Sequence, residues 1–160
     1  MSDNRLKIGI TQGDTNGIGW EVILKTLSDS RMTELCTPVV YGTPAAAELY
    51  RSHIAELEEI AFNTVVSARD ARRGRVNLVA CGPQQLRIAP GEPSAEAGQA
   101  AVEALRTAMR DLKEGTLDAL VTGPIDKETV QADDFRHTGH TEYLAAELGG
   151  TPMMLMCSDL

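Results

Sequence analysis

Three short stretches of this chain carry residue types that can do chemistry. The first is Gly13-Asp14-Thr15-Asn16-Gly17-Ile18-Gly19. Its glycines allow close backbone approach, and a helix N-terminus behind such a turn favours anions. The spacing G-x-x-x-G-x-G matches neither the dinucleotide fingerprint nor the phosphate-binding loop. Taken alone it is a weak signal, and a tight strand-to-helix turn is the stronger reading. The second stretch is Thr122-Gly123-Pro124-Ile125-Asp126-Lys127-Glu128. Lys127 can neutralise a bound anion and Asp126 can orient it; alternatively, Pro124 sets a turn and Asp126 caps a helix beginning at Lys127. The third is His137-Thr138-Gly139-His140-Thr141-Glu142. Two histidines three apart raise a metal site, but no cysteine, aspartate or third histidine completes a ligand set nearby. The stronger reading starts a helix at Thr141, its N-terminus facing an anion, with the His140 imidazole donating to phosphate or carboxylate oxygens.

These stretches need elements to hold them. Residues 6–11 read as a strand, short and rich in isoleucine. Residues 20–28 have helical spacing at Val22, Ile23, Leu24 and Leu27. A strand is expected over 38–42, and a helix over 43–57 that opens with Thr43 as cap and Pro44 at its first position. Two β-branched stretches come next, at 60–66 and 75–81. A loop with three prolines covers 83–93. The clearest helix runs from Ser94 as cap to a stop at Gly115. A buried strand at 117–122 leads into the second stretch, and a short helix ends near Leu148. Strand alternating with helix predicts an α/β protein with a largely parallel sheet. In such sheets ligands bind beyond the carboxyl ends of the strands, the address expected of all three stretches.

Residues 152–157, Pro-Met-Met-Leu-Met-Cys, read as one more buried strand, with Cys157 inside it. A core strand only three residues before Leu160 points to a piece of a longer protein. His53 reads as solvated, as do Asp133 and Asp134.

Charge and composition exclude several classes. The 160 residues carry 15 Lys and Arg against 23 Asp and Glu, a net charge of -8, with 42% hydrophobic and 4% aromatic residues. An acidic chain poor in aromatics is a weak candidate for binding nucleic acid or an anionic membrane. No apolar run approaches the roughly 20 residues of a membrane helix. Cys36, Cys81 and Cys157 are too scattered for a zinc knuckle or a disulfide framework, which favours a cytoplasmic setting.

Taken in order, Lys7-Ile8-Gly9-Ile10-Thr11-Gln12-Gly13-Asp14 with Asn16-Gly17-Ile18-Gly19, then Ala97-Gly98 through Asp118-Ala119-Leu120-Val121-Thr122-Gly123-Pro124-Ile125-Asp126-Lys127, then Gly139-His140-Thr141-Glu142 and the Met-rich run resemble the 4-hydroxythreonine-4-phosphate dehydrogenase (PdxA) family. The resemblance spans essentially the whole chain, which is similar to the N-terminal half of that family. It implies an isocitrate/isopropylmalate dehydrogenase-like fold, two α/β domains around a cleft. Residues 1–125 would then belong to the first domain and 126–160 would begin the second. It also implies a homodimer that oxidises and decarboxylates 4-phosphohydroxy-L-threonine to 3-amino-2-oxopropyl phosphate in pyridoxal phosphate biosynthesis. NAD or NADP would accept the hydride, and a divalent metal (zinc, magnesium or cobalt) would assist.

By the same resemblance, His140 and Thr141 contact the phosphorylated substrate, and Asp14, Gly17, Asp126 and Lys127 line the cleft. The family's metal-ligating histidines lie beyond Leu160, so this chain is expected to supply none and to be inactive alone. Gly123, where many members have alanine, and Asp126, where many have asparagine, depart from the pattern. They leave open a sister dehydrogenase of erythronate or threonate 4-phosphate. A non-catalytic module that binds a phosphorylated metabolite is the alternative from another class.

Overall fold

The computed structural model describes residues 5–54, 60–83, 85–131, 135–137 and 139–158. Five strands, β1 (Lys7–Thr11), β2 (Thr37–Gly42), β3 (Phe62–Val65), β4 (Val76–Ala80) and β5 (Ala119–Thr122), form one sheet in the order β3-β4-β2-β1-β5. Every pairing is parallel. Five of the six expected strands are therefore present: β2 starts one residue earlier than expected, and the other four are trimmed by one or two residues at an end. β5, expected to be buried, is part-exposed, with Val121 at 52%. The central β2 is buried along its whole length, as a strand covered on both faces must be.

Helices α1 (Gly19–Leu27) and α3 (Pro44–His53) cover one face. There Trp20, Ile23, Leu24 and Leu27 meet Val40, Val76 and Leu78. The short α2 (Arg31–Leu35) was not legible in the sequence; five residues are too few to show a period. Helix α3 stops at His53, short of the expected Leu57, and residues 55–57 lie outside those described. The His53 side chain is exposed and meets the Leu49 carbonyl.

Helix α4 (Ala95–Lys113) crosses the other face and carries the chain from β4 to β5. Its ends match expectation: the Ser94 hydroxyl accepts from the Ala97 N–H at 3.1 Å, and Gly115 has φ +69°. One side of α4 places Ala104 and Ala108 on Val39, Tyr41 and Val79. The other places Ala101, Val102, Leu105 and Met109 on Val130, Phe135 and Tyr143, the last from α5 (His140–Leu148). Gly98 lets the 126–130 turn close on α4: a Cβ there would lie 2.0 Å from the Thr129 carbonyl oxygen.

The chain after α5 departs from expectation. Residues 151–158 form no strand, and Met153, Met154, Leu155 and Met156 are 71–87% exposed. Cys157 is exposed rather than buried. The apolar run was a sound strand signal, but a strand exists only where a ladder partner takes its backbone groups. No described strand lies beside this segment.

The C-terminal edge of the sheet is tied together by Gln12, fully buried directly after β1. Its carboxamide donates to the Thr43 hydroxyl at 3.3 Å and the Ala100 carbonyl at 3.2 Å. Its oxygen accepts from the Trp20 indole N–H at 3.1 Å and the Thr43 backbone N–H at 2.8 Å. Thr43 thus serves Gln12 and makes no side-chain cap to α3. Gln12→Ala leaves buried donors and acceptors unpaired, each worth about 1–3 kcal/mol. We expect a stability loss of about 3 kcal/mol or more in urea unfolding. A loss below about 1 kcal/mol would contradict this role.

Candidate functional site

The first crossover, β1 to β2, leaves β1 on one side, whereas β5 pairs on the other. The loops after β1 and β5 therefore separate at the strand-order switch, where parallel sheets bind ligands. They are held at fixed distance by backbone. Gly13 has φ +70°, and a Cβ there would lie 2.3 Å from the Pro124 carbonyl oxygen. The Asp14 N–H donates to that oxygen at 2.8 Å, and the Gly123 N–H to the Thr11 carbonyl at 3.0 Å. A one-sided glycine requirement and a close backbone pair leave the two loops little freedom.

Asp14 is buried. One oxygen accepts from the Asn16 N–H at 2.7 Å and the other from the Thr129 hydroxyl at 3.4 Å. Asp126 acts as a cap, as in the alternative reading, its Oδ1 accepting from the Glu128 N–H at 2.8 Å. Residues 127–130, however, form a turn rather than the helix expected from Lys127. The Asp126 carbonyl lies 3.2 Å from the Thr129 hydroxyl, whose single proton is shared between it and Asp14. Thus Thr129 joins the two loops that carry these carboxylates.

Two adjoining clefts open here. One, about 420 Å³, is lined by Asp14, Asn16, Gly17 and Ile18 from the first loop, Gly91, Glu92 and Pro93 from the proline loop, and Pro124, Ile125 and Asp126. The other, about 430 Å³, is lined by Pro124, Ile125, Lys127, Gly139, His140, Thr141 and Glu142. Pro124 and Ile125 are the wall between them. All six residues singled out from the sequence lie in one cleft or the other: Asp14, Gly17 and Asp126 in the first, Lys127, His140 and Thr141 in the second. The Asp126-Lys127 pair is split, Asp126 lining one space and Lys127 the other.

The two spaces differ in charge. The first holds three carboxylates and no cation. The second holds Lys127, which is exposed and makes no ion pair among the described residues, and His140, with one carboxylate, Glu142. The His140 Nε2 is buried and has no hydrogen-bond partner among the described residues. Burial also holds the imidazole pKa below its ordinary value near 6.5. Helix α5 begins at His140 with Gly139 as its cap, which offers no side chain to the free N–H groups of the first turn. An oxyanion placed there meets an ammonium, an imidazole, the Thr141 hydroxyl and a helix N-terminus.

His137 is elsewhere. Its ring packs on Phe135 and on Tyr143 of α5, at centroid distances of 5.4 Å in each case. Thr138, Asp133 and Asp134 lie outside the described residues. Asn16, Gly91 and Glu92 were not picked out from the sequence as lining the first cleft. An asparagine inside a glycine-rich turn was the one available signal. Away from both clefts, burial pushes the Cys81 thiol up to about 12, which keeps it protonated and unreactive.

The sequence model of the pyridoxal phosphate biosynthetic protein PdxA matches residues 34–160. The chain belongs to the PdxA family. A 4-hydroxythreonine-4-phosphate dehydrogenase of Bacteroides thetaiotaomicron is 43% identical over 99% of this chain and 44% of its own length. A D-threonate 4-phosphate dehydrogenase of Cupriavidus necator is 33% identical over 100% of this chain and 49% of its own. The crystal structure of a 4-hydroxythreonine-4-phosphate dehydrogenase from Burkholderia phymatum superposes with a TM-score of 0.82 at 30% identity. It covers 94% of this chain and 46% of that one. The fold is therefore the isocitrate/isopropylmalate dehydrogenase-like α/β fold of that family, of which these residues form a part. The chain spans about half the length of the curated relatives it matches.

His140 titration gives a direct check. Its folded pKa is depressed, so the neutral ring contributes stability above about pH 6.5 that is lost as pH falls through the folded value. NMR should show a midpoint below 6.5 in the free protein. Inorganic phosphate should raise that midpoint, because an anion favours the imidazolium. A free-protein midpoint above 6.5, or no response to phosphate, would contradict the geometry.

Proposed function

We propose that this chain is the N-terminal half of a 4-hydroxythreonine-4-phosphate dehydrogenase. The supporting observation is the second cleft, lined by Lys127, Thr141 and His140, whose buried Nε2 has no hydrogen-bond partner among the described residues. On this reading the substrate phosphate sits there. Lys127 neutralises its charge, and His140 and Thr141 donate hydrogen bonds that fix its position. The carbon skeleton then reaches past Pro124 and Ile125 toward the first cleft.

The first cleft suits a nicotinamide. It offers flat apolar contact from Ile18, Pro93, Pro124 and Ile125, and its carboxylates suit the positive charge of the oxidised ring. When bound, that ring, from NAD or NADP, is the hydride acceptor. The hydroxyl carbon of the substrate loses a hydride and its oxygen a proton; the resulting β-keto acid loses carbon dioxide and leaves 3-amino-2-oxopropyl phosphate. This chain's part is to hold the phosphate end and to set the spacing of the two clefts through the Gly13 and Pro124 backbones. Among the described residues no group of three or more His, Cys, Asp or Glu is placed to hold the divalent metal.

The reading keeps residues 1–125 as the first domain and 126–160 as the start of the second, with a homodimer in the cytoplasm. No described helix is long and apolar enough to cross a membrane. The relative named for D-threonate 4-phosphate supplies the competing substrate.

The complete protein should reduce a nicotinamide cofactor with 4-phosphohydroxy-L-threonine at a kcat/KM at least about tenfold above that for D-threonate 4-phosphate, a difference of about 1.4 kcal/mol. A reversed preference would move the assignment to the sister activity. His140→Ala should raise the KM for the phosphorylated substrate by about tenfold or more, with the cofactor KM little changed. A wild-type substrate KM in that variant would overturn the phosphate assignment.

A further inference from the structure

One wall of the first cleft depends on a single side chain. Residues 89–94 leave the proline loop and run into α4, and Asn16 meets them at four points. Its Oδ1 accepts from the Ala89 N–H at 2.9 Å. Its Nδ2 donates to the Glu92 carbonyl at 2.8 Å and to the Ser94 hydroxyl at 3.3 Å. Its backbone carbonyl accepts from the Gly91 N–H at 2.8 Å. Asn16 itself is buried, and Asp14 holds its N–H. The one ion pair within the described part of the loop, Arg87 to Glu92 at 3.6 Å, is exposed on both sides and adds little. Ile88 packs on the core beside α1, which seats the loop's base and leaves the placement of Gly91, Glu92 and Pro93 to Asn16.

We propose that Asn16 is a positioning residue for the nicotinamide end of the cofactor. The proposal rests on the dehydrogenase reading and deepens it. Gly91, Glu92 and Pro93 face Pro124, Ile125 and Asp126 across the cleft. The second wall is fixed by the Gly13 and Asp14 contacts to Pro124, so the width of the opening depends on the first wall. The carboxamide is suited to that task because it supplies an acceptor and two donors at once. Aspartate would keep the acceptor for Ala89 but turn a carboxylate toward the Glu92 carbonyl. The Ser94 hydroxyl is also the cap of α4, so the same side chain ties the wall to the helix that crosses the sheet.

Two readouts on the complete protein test this. By hydrogen exchange, Asn16→Ala should speed exchange at the Ala89 amide about tenfold, and Asn16→Asp should leave that amide protected. In kinetics, both variants should raise the cofactor KM by about fivefold or more, the equivalent of one ordinary hydrogen bond. The KM for the phosphorylated substrate and kcat should each change less than about twofold. Arg87→Ala, on the same loop but outside both clefts, should leave both KM values unchanged. Unaltered Ala89 exchange in Asn16→Ala would overturn the proposal. So would faster exchange with both KM values unchanged, or equal rises in both, since those outcomes mark a merely structural residue. Should the wild-type protein turn over neither phosphorylated acid, the dehydrogenase reading fails. In that case the Ala89 exchange result and the affinity of NAD measured by calorimetry, wild type against Asn16→Ala, still decide the role of Asn16.

Discussion

The Gln12 carboxamide is the constraint on which the rest of this architecture depends. It uses both donors and both acceptor directions, and its partners come from β2's end, α1 and α4. Buried without them, each group would cost more than a surface hydrogen bond returns, so the elements can close only in one arrangement. That arrangement delivers the next residue, Gly13, against the backbone of Pro124. The two loops at the strand-order switch are thereby set by a buried polar network and a glycine contact, not by their own side chains. Asp14 and Thr129 then lock the loops, and Gly98 lets α4 press on the same turn from the other side.

A division of charge results from this geometry. Pro124 and Ile125 line both spaces, with three carboxylates in the first and Lys127, His140 and the single carboxylate of Glu142 in the second. The first space, with three carboxylates, repels a phosphate, whereas in the second Lys127 offsets the single carboxylate of Glu142 and hydrogen-bond donors are on hand; the positive charge of an oxidised nicotinamide favours the first. The depressed His140 pKa belongs to the same logic. A neutral, partly desolvated imidazole waits with a buried nitrogen that only an incoming hydrogen-bonding group can satisfy.

Much of this was legible in the sequence, and the rest was not for physical reasons. Helix α4 was readable end to end because Ser94 and Gly115 are local signals that act within one turn. The loops were readable as ligand addresses because a strand's end is visible from its composition. The role of Asn16 was hidden because its partners lie more than seventy residues away in the chain. Gln12 lies within the Lys7–Asp14 stretch that resembles the family, but its four contacts depend on tertiary closure. The run at 152–157 misled because apolar content reports a wish for burial, whereas strand formation also needs a neighbouring backbone. Asp126 resolved its own ambiguity: it caps a turn and lines a cleft, since a carboxylate has two oxygens to offer.

The central claim is that phosphate and cofactor are sorted to opposite sides of Pro124 and Ile125. The most direct test is a crystal structure of the complete protein with 4-phosphohydroxy-L-threonine and NAD bound. The account predicts phosphate oxygens within hydrogen-bond distance of the Lys127 ammonium, the His140 Nε2 and the Thr141 hydroxyl, with the nicotinamide between Gly91–Pro93 and Pro124–Asp126. A phosphate lodged among Asp14, Glu92 and Asp126, or a His140 Nε2 left without a ligand contact, would contradict it.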